Sequence, residues 1–584
     1  MTATDYLNDL NQRYLAIHRT KEDFFWETYM GISDDHDGST QAQTAWTSFL
    51  SNAEQITAIK QQLEAADSIT DPQEKQQTIT GLSGWLAMFE SHAIEGEKAQ
   101  ALKNQLIAFE AELFEKKQNH VQTFTDENGE QVEGSLPVLS STIRTSNHEE
   151  VRQSAHQALL NLEQWLLQNG FIELIKLRNQ FARSLGYATF FDYSVQKTEK
   201  MSSEQLFEIL EDFEQRTRDA HLNSLENLAK EKGASALTGY NFVYSFAGDV
   251  MRDLDPYVPF SKSLRRWVES FGRLNIDYSG ATLTLDLLDR KGKPDQVGSG
   301  YDGINTLFHE GGHAAHFANV KMNAPCFSQE FAPTSMAYAE TQSMFCDSLL
   351  TDADWLKQYA LDDEGNSVPD EIIQAMINSR QPFKAYEERS ILVVPYFERA
   401  LYQLSDDELT PERITKLARD CEKQILGLEC SPRPLMAIPH LLSDEAACAY
   451  QGYLLAHMAV YQTRAYFLEK FGYLTDNPEI GPLLAKHYWH AGNHLSHNET
   501  IFSLTGEGFN AKYLADVCNL SPEQAWEVQQ KKIDSLATRE RAPVASLNAT
   551  IKVVDGSTEL ASNAISDEQM CDDFERYIVE TYGR

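Results

Sequence analysis

Paired cysteines, long apolar runs and an excess of positive charge are all missing from this sequence of 584 residues. Each absence closes a class of function. The cysteines stand singly, at 326, 346, 421, 430, 448, 518 and 571, with no CxxC pair. An odd, unpatterned set is neither a disulfide framework nor a cysteine metal clip. Apolar runs such as residues 390–397 are much too short to span a bilayer. Residues 1–25 carry charges throughout and lack the apolar core of a signal peptide, so a cytoplasmic protein is expected. Lysine and arginine number 50 against 87 aspartates and glutamates, a formal net charge of -37. So acidic a surface repels phosphate backbones and anionic lipid, which argues against nucleic acid and membrane as partners. Its plain reading is solubility, with some electrostatic preference for cationic peptides. No fixed-period repeat is present either, which removes a solenoid.

What the sequence does have is core-forming material and helical periodicity. Hydrophobic residues make up 42% and aromatics 10% of the chain. Residues 52–118 and 149–185 place apolar side chains at three- and four-residue spacing, with Glu, Gln, Lys and Ala between them. The polar stretch at about 119–147 contains an Asn128-Gly129 turn signal and reads as a short hairpin or a plain loop. Strand signals are few: residues 281–288, followed by a turn-like 290–294, and a β-like patch at 550–554. The expected organisation is a helical N-terminal region (1–148), a helical catalytic domain (149–530) and a C-terminal tail appendage (531–584).

The informative segment is residues 306–317, TLFHEGGHAAHF, which contains His309-Glu310-x-x-His313. On a helix, residues four apart differ by about 40° of rotation, so both imidazoles leave one face and can meet one tetrahedral zinc. Glu310, beside the first ligand, can reach a water at the metal without ligating, the position of a general base for attack on a carbonyl. Ile304, Leu307, Phe308, Ala314, Ala315 and Phe317 supply the apolar face, and Asp302 is the expected N-cap. Gly311 and Gly312 each cost such a helix about 1 kcal/mol relative to alanine, which suggests close approach of another group, substrate backbone being one candidate.

A catalytic zinc needs a third protein ligand and an open position. The metzincin solution is excluded, because position 316 is His rather than Gly and position 319 is Asn rather than His. After Pro333 a new helix begins, capped by Thr334 or Ser335, and Glu340 on it is the expected third ligand. Asp347, two turns further along the same face, is placed to orient a ligand imidazole.

At these residues the sequence resembles the thimet oligopeptidase and oligoendopeptidase F family of zinc metallopeptidases. The 306–316 run and Tyr338-Ala339-Glu340 resemble that family's two ligand segments. Residues 177–187 with 201–204, and further on Gly492-Asn493 and 504–506, resemble its flanking helices, so the likeness covers roughly residues 150–530. It implies a mainly α fold: a large helical zincin-type peptidase with a deep central channel, one Zn2+ on its floor and a small β element near the active site. It further implies endopeptidase action on short peptides, with His440 and either Tyr450 or Tyr453 binding the substrate carbonyl oxygen. A zinc carboxypeptidase of the same Glu-ligand class and a non-catalytic helical peptide binder are the alternatives. This sequence departs from the family in the short stretch 294–305 before the HExxH helix and in having Asp347 where Glu is common. His316 is expected near the site rather than on the metal, and His487, His490, His494 and His497 are expected as exposed histidines rather than as a second metal site.

Overall fold

The computed structural model describes residues 1–584 except 95, 248–252, 289–299, 331–333, 444–445 and 584. The turn expected at 290–294 lies outside the described residues. Helices dominate, and their caps are written in the sequence. Helix α1 (Ala3–Tyr29) opens with a Thr2/Asp5 capping box, and α2 (Pro72–His92) opens on Asp71 with Pro at its first position. These two helices share a core of Leu10, Tyr14, Trp85 and Phe89, which Cys326 and Phe327 join from the far side of the HExxH motif. The link is polar as well: Asn11 Nδ2 donates to the Asn323 carbonyl at 3.0 Å and the Tyr14 hydroxyl to Gln329 Oε1 at 3.1 Å. The segment that follows the motif is therefore braced by the N-terminal helices.

Beyond α3 (Glu97–Gln118), β1 (Thr123–Thr125) and β2 (Gln131–Glu133) pair antiparallel. Their turn carries Gly129 at φ +80°, a left-handed conformation that costs glycine nothing. The first half of the polar stretch is thus a hairpin, whereas its second half is neither hairpin nor loop: Leu136–Thr145, capped by Ser135, is a helix that buries Leu139 and Ile143. Helices α4 (Glu149–Gln168) and α5 (Phe171–Ser184) follow and start the main core, which runs through Leu162, Phe171 and Phe181 to Trp267 and Phe308.

The region around the HExxH motif uses α6 (Ser263–Arg273), β3 (Thr282–Asp286), α7 (Gly300–Ala318), α8 (Met336–Asp347), α9 (Lys384–Gln403) and α10 (Gln451–Phe471). Helix α7 begins two positions earlier than its expected cap. Asp302 consequently stands in the first turn, where its carboxylate still faces the positive end of the helix dipole. Helix α8 is capped by Ser335, whose hydroxyl accepts from the Ala337 N–H at 3.0 Å.

Residues 531–584, expected as an appendage, are instead threaded into the main helical body. Strand β4 (Thr550–Asp555) pairs parallel with β3 and antiparallel with β5 (Thr558–Ser562), in the order β3-β4-β5. Helix α11 (Asp567–Tyr582) closes the region, and Leu547, Ile551, Val553, Phe574 and Ile578 lie in the same buried core as Trp267 and Phe308. Arg265 on α6 binds Glu575 at 2.6 Å and Asp572 at 2.5 Å. The physical reason is the amphipathic pattern of both strands: the alternating apolar side chains of 550–554 can be buried only against another layer. Among the described residues no helix is long and apolar enough to cross a membrane.

Candidate metal centre

Helix α7 packs along α8, and the glycine pair makes this approach possible. A Cβ on Gly312 would lie 2.9 Å from Ser343 Cα and 3.0 Å from the Gln342 carbonyl oxygen, both on α8. A Cβ on Gly311 would lie 2.5 Å from Trp267 Nε1. The glycines thus admit neighbouring protein, not the substrate backbone suggested by sequence. The Gly311 carbonyl also accepts a hydrogen bond from the fully buried Tyr278 hydroxyl at 2.8 Å. Tyr278 is held in turn by the C-terminal region: its N–H donates to the Leu547 carbonyl, and the Gly280 N–H to the Asn548 carbonyl, both at 2.8 Å. Asn548 Nδ2 reaches both Asp277 oxygens at 3.2 Å.

On the facing surfaces of α7 and α8, the donors converge. His309 Nε2 lies 3.3 Å and His313 Nε2 3.6 Å from the same Glu340 oxygen. One ligand atom from each of these three residues falls within 4.8 Å of the others, the sole such cluster among the described residues. Two imidazole nitrogens and a carboxylate are a donor set that suits zinc. His309 Nδ1 is turned into Asp347 Oδ2 at 2.8 Å, which orients the ring so that Nε2 faces Glu340. Burial disfavours charge on His309, but the Asp347 and Glu340 carboxylates outweigh it and push its pKa up to about 10. Burial likewise opposes ionisation of Glu340, and the two imidazoles overcome it, so its pKa falls well below the carboxylate range. Glu310 is exposed beside this cluster and makes no ion pair with a described residue.

The second half of the site comes from α10 and the turn before it. Gly452 packs on Met336 and the Ala337 backbone at the start of α8, which brings the start of α10 against the helix of Glu340. The Tyr453 hydroxyl lies 3.5 Å from His440 Nε2, and the His440 ring meets the Tyr450 ring edge-on with centroids 4.9 Å apart. Burial, then the Glu340 charge, pushes the Tyr453 phenol up to about 12. Tyr450 is only 7% exposed, with Arg433 over its ring. Burial, with the Arg433 charge, lowers the His440 pKa. The structure thus brings His440, Tyr450 and Tyr453 into one cluster, with Tyr453 the member that feels the metal-ligand carboxylate.

His316 is fully buried and bonded to the Tyr338 hydroxyl at 2.8 Å, tying α7 to α8 away from the ligand cluster. The histidines at 487–497 form no such cluster; His487 bonds Ser503 Oγ at 2.9 Å and His494 meets Phe327 edge-on. One carboxylate escaped the sequence reading. Glu330 has its pKa raised by burial and by the charges of Glu340 and Glu310, against the lowering effect of His313. Nothing in its local sequence marks it, because the fold alone brings it to the site.

Residues 300–519 match the family model described as peptidase family M3. A solved structure titled "BsuCP Crystal Structure" superposes with a TM-score of 0.57 at 14% sequence identity, covering 91% of this chain and 99% of that one. At that identity the likeness is one of fold alone, a large, mainly helical architecture. No curated protein matches the chain. The matched segment contains both ligand helices and the His440–Tyr453 cluster. Peptidases of that family are zinc-dependent, and the three converging donors could hold one such ion.

Proposed function

With the M3 zinc metallopeptidases as the family of its catalytic segment, we propose that this protein is a zinc-dependent oligopeptidase hydrolysing internal bonds of short peptides. The observation that carries the reading is the convergence of His309, His313 and Glu340, with Glu310 beside them and the Tyr453 phenol across from Glu340. Zinc, when bound, supplies Lewis acidity toward the scissile carbonyl and makes water a usable nucleophile near neutral pH. The chain's own residues do the rest. Glu310 takes a proton from the attacking water at its carboxylate and passes it to the leaving amine. Asp347 keeps the His309 proton on Nδ1. Tyr453, whose phenol stays protonated far above neutrality, donates to the developing oxyanion, and His440 holds the phenol in place. Tyr450 packs the pair and does not touch substrate. The free cysteines, buried except for Cys430, suit a cytoplasmic setting.

The test is hydrolysis of quenched-fluorescent peptides by zinc-loaded wild type and Glu310→Gln. Wild type should cut internally, and the variant should keep its zinc while losing about 10³-fold in rate. Equal rates would remove Glu310 as the base, and inactivity of both would favour a non-catalytic peptide binder. Amidating the substrate C-terminus separates the remaining rival: a carboxypeptidase loses activity, and an internal cutter does not.

A further inference from the structure

The loop that leads to His440 carries an arginine between two prolines, Ser431-Pro432-Arg433-Pro434. Each proline fixes its own φ, and Pro434 also keeps Arg433 extended. Two carboxylates pin the loop from beneath. Buried Glu422 accepts the Ser431 N–H at 3.1 Å and the Leu435 N–H at 3.3 Å, and buried Glu163 accepts the Met436 N–H at 3.0 Å. Arg419 pairs with both carboxylates at 2.9 Å, so neither is buried alone. Arg433 is therefore held out, its side chain exposed, by a backbone with little freedom to move.

Beside this loop lies a cavity of about 200 Å3 with Ile143, Val393, Leu435 and Ile438, all buried, in its wall. Two exposed arginines, Arg433 and Arg144, share the lining. Arg144 comes from the last turn of the helix Leu136–Thr145, so the two cations reach the cavity from separate elements. In a chain of net charge -37, neither guanidinium forms an ion pair with a described residue. An apolar wall beside two unpaired guanidiniums is complementary to a carboxylate on a short apolar stem. The cavity also adjoins the tyrosine cluster. Arg433 Cζ stands 5.5 Å from the centroid of the Tyr450 ring, which lies 5.3 Å from that of Tyr453. Ile438 in the wall is two residues before His440.

We propose that Arg433 and Arg144 bind the carboxylate of an acidic side chain of the peptide substrate, Glu or Asp, whose methylene stem enters the cavity. The two ring contacts set the distance: at about 3.3 Å per extended residue, the acidic residue lies within about three residues of the cleaved bond. The substrate of an internal cutter runs on past the site, so the carboxylate comes from a side chain and not from the chain's end. This inference rests on the peptidase reading and adds a specificity to it.

The test uses full-length, zinc-loaded protein and quenched peptides amidated at the C-terminus, so that only side chains supply a carboxylate. Glu or its neutral isostere Gln is placed at each position within three residues of the cleaved bond. Wild type should prefer Glu at one position by about fivefold in kcat/KM, the size of a partly exposed ion pair. Arg433→Gln should bring that ratio close to one, and Arg433→Lys, which keeps the charge, should retain part of it. Arg144→Gln, which leaves the Tyr450 contact in place, should lower the ratio at the same position. A purely structural role would slow the Glu and Gln peptides alike, and a ratio that survives in both Gln variants overturns the proposal. A wild type indifferent to Glu and Gln at every position also overturns it, whether or not the variants fold, and leaves the peptidase reading standing. So does a preference for a free over an amidated terminus with none for Glu. A wild type that cleaves none of the peptides brings down both readings.

Discussion

The two halves of the site are made in different ways. The zinc half is local: His309, Glu310 and His313 share one turn of α7, and Glu340 and Asp347 sit on the next helix. Its geometry comes from a pair of helices pressed together through Gly312. The half proposed to bind the oxyanion is assembled from a distance. The turn before α10 is held by Arg178, whose Nη1 donates to the Leu441 carbonyl at 2.7 Å, and by Ser194, whose hydroxyl donates to the Ala447 carbonyl at 3.2 Å. Glu398 on α9 accepts the Cys448 N–H at 2.8 Å, fixing a residue at φ +60° that a non-glycine seldom adopts. One half is thus a property of a helix pair, and the other a property of the whole domain.

The contrast can be broken most sharply at the phenols. Tyr453→Phe should lower kcat by about 10²-fold or more while zinc content and KM stay close to wild type. Tyr450→Phe should change rate only a few-fold, because that ring packs rather than donates. Comparable losses in the two variants, read from steady-state kinetics, would return the oxyanion role to Tyr450 or to both. The next effect belongs to the zinc half. Gly312→Ala forces a methyl group against α8 backbone that cannot yield, a cost of about 1–3 kcal/mol. Thermal midpoint and zinc affinity should fall together; a drop in stability with zinc affinity intact would show that the helix spacing and the ligand geometry are separable.

The smallest expected effect sharpens the other side. Burial, against the Cys448 N–H and the Arg178 charge, lifts the Glu398 carboxyl from 4.5 to about 7. A carboxyl raised on folding binds more protons in the native state, so its contribution makes stability fall as pH rises from 4.5 to above 7. Glu398→Gln, which still accepts the Cys448 N–H, removes that contribution. Its thermal midpoint should therefore drop less than that of wild type between pH 5.5 and about pH 8. Equal drops in both proteins would mean that Glu398 is not the titrating anchor of this turn.

The same contrast explains what could be read in advance. The HExxH spacing, the cap of α8 and the hairpin around Gly129 are short-range patterns, and each appears where its residues place it. Strands 282–286 and 550–555 are visible as alternating segments, but nothing local says that they pair with each other. The glycine pair announces a close approach without naming the neighbour, which is Trp267 and α8. The histidines at 487–497 show the converse, a suggestive spacing whose side chains never converge.

The hydrogen bonds from 277–281 to 547–550 also set an order of events. While a chain is being synthesised, helix α7 and its motif emerge long before residues 547–555 exist. Until those residues arrive, β3 lacks its pairing with β4, and the Tyr278 and Gly280 N–H groups lack the acceptors that hold them. Closure of so distant a pair is the slow kind of contact. The chain therefore carries a built-in delay: the brace behind the HExxH helix is completed only after residues 547–555 have been made.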